Sequence, residues 1–272
     1  MWQFPGLESL SWMDMGLLVA GGILTGIINT LAGSGSLITL PLLMYICGLS
    51  PTVANGTNRL GAIIPGLLTL WGLHRSGKMV YTGSLWLVIP SAIGAVIGSY
   101  TAISLDEKIM QYCIAGLMIF MLVVLLVKPE RWLRESQASV TRNRHPLTVI
   151  AFVLIGFYGG FIQVGSGLFV LAVLVVFAHY SLTAANGMKA LTLTLFNVPA
   201  LFIFAANGQV NWMIGLLMAG FQSLGAWLAL RFMIHIPSAN VWVYRLLILI
   251  VVVSASKVLG LWEWALTIMS GG

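Results

Sequence analysis

Two short stretches of this sequence place a cation, an amide side chain and a glycine within about one helical turn. The first is "ANGTNR", Ala54 to Arg59, and the second is "AANGMK", Ala184 to Lys189. Arg59 presents a planar guanidinium that can hold an oxyanion by two parallel hydrogen bonds; Lys189 presents a compact point charge. Asn55, Thr57, Asn58 and Asn186 add neutral polar groups beside them. Two further stretches are rich in glycine and hydroxyls. One is "GSGS", Gly33, Ser34, Gly35 and Ser36; the other is "QVGSG", running from Gln163 through Gly165 and Ser166 to Gly167. Glycine lets a ligand approach the backbone closely, and serine hydroxyls and the Gln163 amide can donate to it. These residue types suit recognition of a small anion.

Composition says where such a site would sit. Of 272 residues, 59% are hydrophobic and 7% charged, and the mean hydropathy is +1.00. That balance excludes a soluble domain and fits a multi-span membrane protein. The ten Trp suit interfacial belts. Much of the net charge of +6 comes from one polar stretch, "KPERWLRESQASVTRNRH", which holds Lys128, Arg131, Arg134, Arg142 and Arg144. It reads as a cytoplasmic loop facing anionic lipid rather than a nucleic-acid patch, because no folded soluble domain carries it. Cys47 and Cys113 lie in or beside apolar segments, which argues against a disulfide framework, and no metal-ligand spacing is visible. No basic stretch precedes the first apolar run, so no cleavable signal peptide is expected.

What is missing narrows the function. The acidic residues are Glu8, Asp14, Asp106, Glu107, Glu130, Glu135 and Glu263, each at a terminus, in a loop or at a segment edge. Cation pumps and most proton-coupled carriers use carboxylates inside the membrane. There is no "GxxxxGK[ST]" loop to bind ATP. His74, His145, His179 and His235 read as loop or edge residues. An intramembrane protease or other membrane enzyme would need paired Asp, a Ser/His pair or a His cluster, and none is seen.

The elements that must position the site come from a duplication. An offset of about 131 residues aligns "GSGS" with "GSGL" at Gly165, "SPTVANGTNRL" with "SLTAANGMKAL", Gly77-Lys78 with Gly208-Gln209, and "IGAVIGSY" with "LGAWLALR". Four landmarks in one order and one spacing make a repeat. Hydropathy gives eight apolar segments, roughly 15–47, 54–73, 83–104, 109–127, 147–178, 184–206, 212–233 and 241–262. A spanning helix needs about 20 residues. The first and fifth segments are too long for one crossing, about 48 Å as continuous helix. Each contains the Gly/Ser break near its middle. Each therefore reads as two short helices, either a re-entrant hairpin or two tilted spans. Hairpins give inverted repeats, single crossings parallel ones. The positive-inside rule favours inversion, which moves Arg231 and Arg245 to the cytoplasmic side and leaves Lys108 as the main exception.

Irregular backbone at membrane depth is tolerated only where protein or a water-filled cavity satisfies it. Matching breaks in two halves are a pointer to a transporter's binding site. The short helix after each tip would aim its free N–H groups at the centre and favour an anion. Each "ANG" stretch is expected to begin a helix. The plainer accounts are that small residues only permit tight packing and that Arg59 and Lys189 snorkel to the surface. Recurrence of both features in both halves weighs against those accounts.

The small-residue break, "ANGTNR", the Gly77-Lys78 turn, "IGAVIGS" and the repeat together resemble the TauE/SafE family of membrane exporters, over about residues 15–262. The resemblance implies export of sulfite or organosulfonates such as sulfoacetate. The family's glycine cluster would be carried by Gly33, Gly35, Gly165 and Gly167. The residues alone imply only a small anion.

The expectation is an all-α polytopic membrane protein of two homologous halves. It comprises a tail 1–14, a first repeat 15–127, a basic cytoplasmic loop 128–146, a second repeat 147–262 and a tail 263–272. It would sit in the cell's inner membrane as a secondary transporter without cofactor or metal, not as an enzyme. Its partners would be a small anion and the lipid bilayer, with no nucleic acid and with room for a homodimer. The substrate set is Gly33, Ser34, Gly35, Ser36, Asn55, Thr57, Asn58, Arg59, Gln163, Gly165, Ser166, Gly167, Asn186 and Lys189. The alternative is a membrane enzyme or assembly scaffold with a transporter-like fold.

Overall fold

The computed structural model describes residues 11–75, 84–126, 146–178, 180, 182–231, 248, 249 and 252. Within them every regular element is a helix. The elements are α1 (Trp12–Leu31), α2 (Ser36–Pro41), α3 (Pro51–Arg75), α4 (Ser84–Ile103), α5 (Glu107–Leu126), α6 (Pro146–Phe161), α7 (Ser166–Ala172), α8 (Leu182–Ala206) and α9 (Trp212–Arg231). Both α2 and α7 continue into a wider π turn, Leu42–Ile46 and Val173–Phe177. The basic loop, the Gly77-Lys78 turn, His179, His235 and Arg245 lie outside the described residues. So does nearly all of the eighth apolar segment.

Among the described residues five helices are long and apolar enough to cross a membrane: Trp12–Leu31, Trp86–Ile103, Glu107–Leu126, Ala184–Ala206 and Trp212–Arg231. α3 has 25 residues, but Asn55, Asn58, Arg59, His74 and Arg75 lower its hydropathy. Exposed Ile89, Ile93, Ile97, Phe202, Leu216 and Trp227 give the outer surface the apolar character that lipid requires.

The first long segment turns back on itself. α1 ends at Leu31 and the chain reverses through Ala32–Gly35. Thr39 on α2 then hydrogen-bonds Thr25 on α1 at 3.4 Å, and Leu42 lies against Gly21. The partners 25 with 39 and 21 with 42 define two antiparallel arms. The second long segment behaves alike. Tyr158 on α6 meets Phe169 on α7 edge-to-face, with ring centroids 5.2 Å apart. The break is glycine-dependent in both: Gly33 has φ 73° and Gly165 has φ 66°, a region that side-chain-bearing residues enter only at a cost.

The halves interlock. α1 packs on α9, α6 packs on α4, and α3 packs on α8. The α4–α6 seam is close because Gly94 and Gly98 rest on the carbonyls of Val153 and Phe157, while Gly156 and Gly160 rest on Ser91 and Ala95. Small residues at four-residue spacing let two backbones approach where lipid gives no hydrophobic drive. Along that seam the residue numbers rise together, so α4 and α6 run in the same direction. Between α3 and α8 they oppose: Gly56 lies against Phe204 and Gly66 against Thr194.

Candidate functional site

α3 begins one turn earlier than the sequence suggests. Its first residue is Pro51, which suits a first helical turn because the missing N–H would be unpaired anyway. Glu107 completes that start, accepting from Ser50 Oγ at 2.9 Å and from the Thr52 N–H at 3.2 Å. α8 likewise begins at Leu182. "ANG" therefore lies inside each helix, not at its first residue. The consequence is a choice of face: Asn55 and Arg59, four residues apart, project together, and so do Asn186 and Lys189.

The two chain breaks meet. Gly167 N–H donates to the Gly33 carbonyl at 3.2 Å. Ser36 Oγ donates to the Gln163 carbonyl at 2.9 Å, and the Gly165 N–H reaches Ser36 Oγ at 3.4 Å. Ser166 Oγ also donates to the Gln163 carbonyl, at 3.2 Å. Of the first-turn amides of α7, only that of Gly167 is thus taken by the opposite tip; those of Ser166 and Leu168 return to Gln163 O and Gly165 O of their own segment. Gly33 and Gly167 are in backbone contact: a Cβ on Gly167 would lie 2.6 Å from the Gly33 Cα. Asn58 joins this cluster through a long contact of Nδ2 to Gln163 Oε1, 3.5 Å.

Lys189 lies against the first tip. It is 2% exposed. Its Nζ donates to the Thr30 carbonyl at 3.3 Å and to Asn186 Oδ1 at 3.0 Å. Its Cδ is 3.2 Å from the place a Cβ on Gly33 would occupy.

Arg59 is fully buried. Nη1 donates to the Gly159 carbonyl and, at 3.0 Å, to Asn197 Oδ1. Nη2 donates to the Gly160 carbonyl at 2.7 Å and to Asn55 Oδ1 at 3.2 Å. The Phe204 ring lies 5.2 Å away. Neither cation snorkels. All their hydrogen-bond partners are neutral oxygens. The acidic residues among the described ones, Asp14, Asp106 and Glu107, sit at helix starts, half-buried or exposed.

The remaining sequence candidates divide. Gly35 packs on Thr25 and Asn29 of α1, behind the tip. Ser34 is buried and makes only a local contact, Oγ to the Ala32 carbonyl at 3.5 Å. Thr57 faces elsewhere: its Oγ1 accepts the Asn211 N–H at 2.9 Å, at the start of α9.

Asn197, Ser99, Tyr158 and Phe204 belong to the assembly and were missed from the sequence. Ser99 Oγ donates to the Gly160 carbonyl at 3.1 Å, and Tyr158 Oη donates to the Val164 carbonyl. The signal for Asn197 and Ser99 was present, since a polar residue inside an apolar run normally faces the protein interior. Arg59 Nε and Thr192 Oγ1 are among the buried polar atoms that lack a partner. Among the described residues no cluster of His, Cys, Asp and Glu could hold a metal ion.

Comparison with known proteins finds membrane transporters. The family described as "Sulfite exporter TauE/SafE" matches residues 18–258. A "Probable membrane transporter protein ORF9" of Sinorhizobium sp is 28% identical over 226 residues, covering 83% of this chain and 85% of that protein. The "Probable membrane transporter protein YfcA" of Escherichia coli K12 is 28% identical over 225 residues, 82% of each chain. YunE of Bacillus subtilis, another probable membrane transporter protein, is 24% identical over 238 residues, 79% of this chain and 85% of that one. No solved structure matches. With helices that can span a bilayer, two buried cations and a family match over most of its length, the chain belongs to the TauE/SafE family of membrane transporters.

Proposed function

We propose that this protein exports a small sulfur-containing anion, sulfite or an organosulfonate, across the cell's inner membrane. One observation carries the reading: the Lys189 ammonium is buried against the first tip with two neutral oxygens on its three donors. Burying an ion costs on the order of several kcal/mol, and two neutral acceptors offset only part of that. A diffusible anion at the remaining donor would offset the rest. The sulfur class comes from the family description, "Sulfite exporter TauE/SafE".

The anion would reach the tip cluster of Gly33, Ser36, Gln163, Gly165, Ser166 and Gly167, beside Lys189 and Asn186. Entry requires the tip-to-tip hydrogen bonds to part, so the structure corresponds to a closed form. The two halves form inverted repeats. In support, the equivalent helices α3 and α8 run antiparallel, and each long segment folds back. The central basic loop then faces the cytoplasm, in keeping with its five cations.

Sulfite efflux from liposomes containing only this protein tests the reading. Release faster than from empty liposomes is expected. No release of sulfite or sulfoacetate in either orientation would sink it.

A further inference from the structure

We propose that Arg59 is a positioning residue: its guanidinium caps the C-terminal end of α6 and fixes the second tip, leaving Lys189 as the cation that meets the transported anion. This rests on the transport reading above.

The argument begins with the orphan carbonyls at any helix end. α1 closes mostly through its own backbone, with Lys189 Nζ on the Thr30 carbonyl as the one cation at that end among the described residues. The Ala32 N–H returns to Ile28 O, and the Gly33 N–H to Ile28 O and Asn29 O. α6 has less backbone closure. The Ile162 N–H returns to Tyr158 O at 2.8 Å, and the next three carbonyls go to side chains. Arg59 takes Gly159 and Gly160, Ser99 shares Gly160, and Asn55 Nδ2 takes Phe161 at 2.7 Å. A cation at this end also complements the helix dipole. Only a planar fork can bridge two successive carbonyls while keeping Asn55 and Asn197 on its outer edges. Asn197 is itself held, by Nδ2 to Leu193 O at 2.7 Å.

Donor use separates the two cations. Each of the four guanidinium Nη hydrogens has an acceptor, and the remaining donor, Nε, is buried without one. An anion could engage Arg59 through both Nη atoms only by stripping α6 of its cap. Lys189 has three donors and uses two, with Thr30 O and Asn186 Oδ1, while its stem touches the first tip. The duplication agrees. The position matching Arg59 in the second half is Ala190, and the position matching Lys189 in the first half is Asn58. The cations are therefore not a symmetric pair, and the helix end that closes through its own backbone lacks the arginine.

The test compares Arg59→Lys, Asn197→Ala and Lys189→Ala in proteoliposomes, with sulfite varied. Arg59→Lys keeps the charge but cannot bridge Gly159 and Gly160. It is expected to cut the maximal rate by about tenfold or more and to lower the melting temperature, while the KM stays within about twofold. Asn197→Ala, which leaves both cations in place, is expected to move in the same direction by less. Lys189→Ala is expected to raise KM, and to abolish stabilisation of the detergent-solubilised protein by added sulfite, which Arg59→Lys keeps. Wild-type rates in Arg59→Lys would overturn the proposal, as would a KM raised as in Lys189→Ala, or loss of sulfite stabilisation in Arg59→Lys. If Arg59→Lys does not fold, Asn197→Ala decides by the same criteria. Absence of flux in the wild-type protein is a different failure, that of the transport reading.

Discussion

The backbone N–H of Gly167 donates to the carbonyl of Gly33, joining two chain breaks that lie in different halves of the molecule. Neither residue has room for a side chain, since each would place a Cβ within 3.0 Å of the other's Cα. The contact is a seam of backbone against backbone, and passage of an anion between the tips would require it to part.

Filling that seam should hold it apart. Gly167→Leu overpacks the junction, a change that costs about 1–3 kcal/mol, and sulfite flux in proteoliposomes should fall sharply. Gly33→Ala sets a Cβ 2.8 Å from the Gly167 Cα and adds strain at φ 73° of about 1 kcal/mol, and it should act in the same direction. Normal flux in Gly167→Leu would mean the anion takes another route.

Lys189 should trade stability for function. Its ammonium is buried among neutral oxygens, so removing it relieves desolvation. Lys189→Ala should melt at the same temperature as wild type or higher, by thermal denaturation in detergent, while its sulfite transport falls through a raised KM. Equal loss of stability and transport would instead make Lys189 a structural residue.

Glu107 should matter for stability alone. It closes the start of α3 through Ser50 and Thr52, and a carboxylate there also complements the helix dipole. Glu107→Gln should destabilise the protein by about 1 kcal/mol and leave the KM for sulfite unchanged. A raised KM would implicate this helix end in substrate handling.

Efflux should follow the membrane potential. One charge moving through 100 mV is worth about 2.3 kcal/mol, and a cytoplasm held negative drives an anion outward without a coupled ion. With pH equal on both sides and the potential set by potassium and valinomycin, efflux should rise when the interior is negative. Flux that ignores potential but follows a pH gradient would mean proton coupling.

The inverted arrangement has its own check. Single cysteines at Ser50 and Thr183, just before α3 and in the first turn of α8, should react with an impermeant reagent from opposite sides of the membrane. Labelling from one side would restore parallel repeats.

Sequence alone determined that the chain is helical and membrane-embedded, because apolar runs of spanning length and so few charges leave no other class. It also located the breaks at Gly33 and Gly165 and the buried cations Arg59 and Lys189, because a duplicated irregularity inside an apolar run stands out without any structure. Tertiary structure decided what each group touches. A hairpin and a tilted crossing have the same length and hydropathy; only the packing of Leu42 on Gly21 and of Thr39 on Thr25 distinguishes the fold-back. Thr57 belongs to the same motif as Arg59 yet faces α9 instead of the tips, since neighbouring positions on a helix point in different directions. Arg59 read as an anion ligand by residue type, but its partners Gly159, Gly160 and Asn197 lie 100 residues or more along the chain. A buried carbonyl at a broken helix end must find a donor wherever the fold brings one, and that is a property of long-range packing that no local spacing encodes.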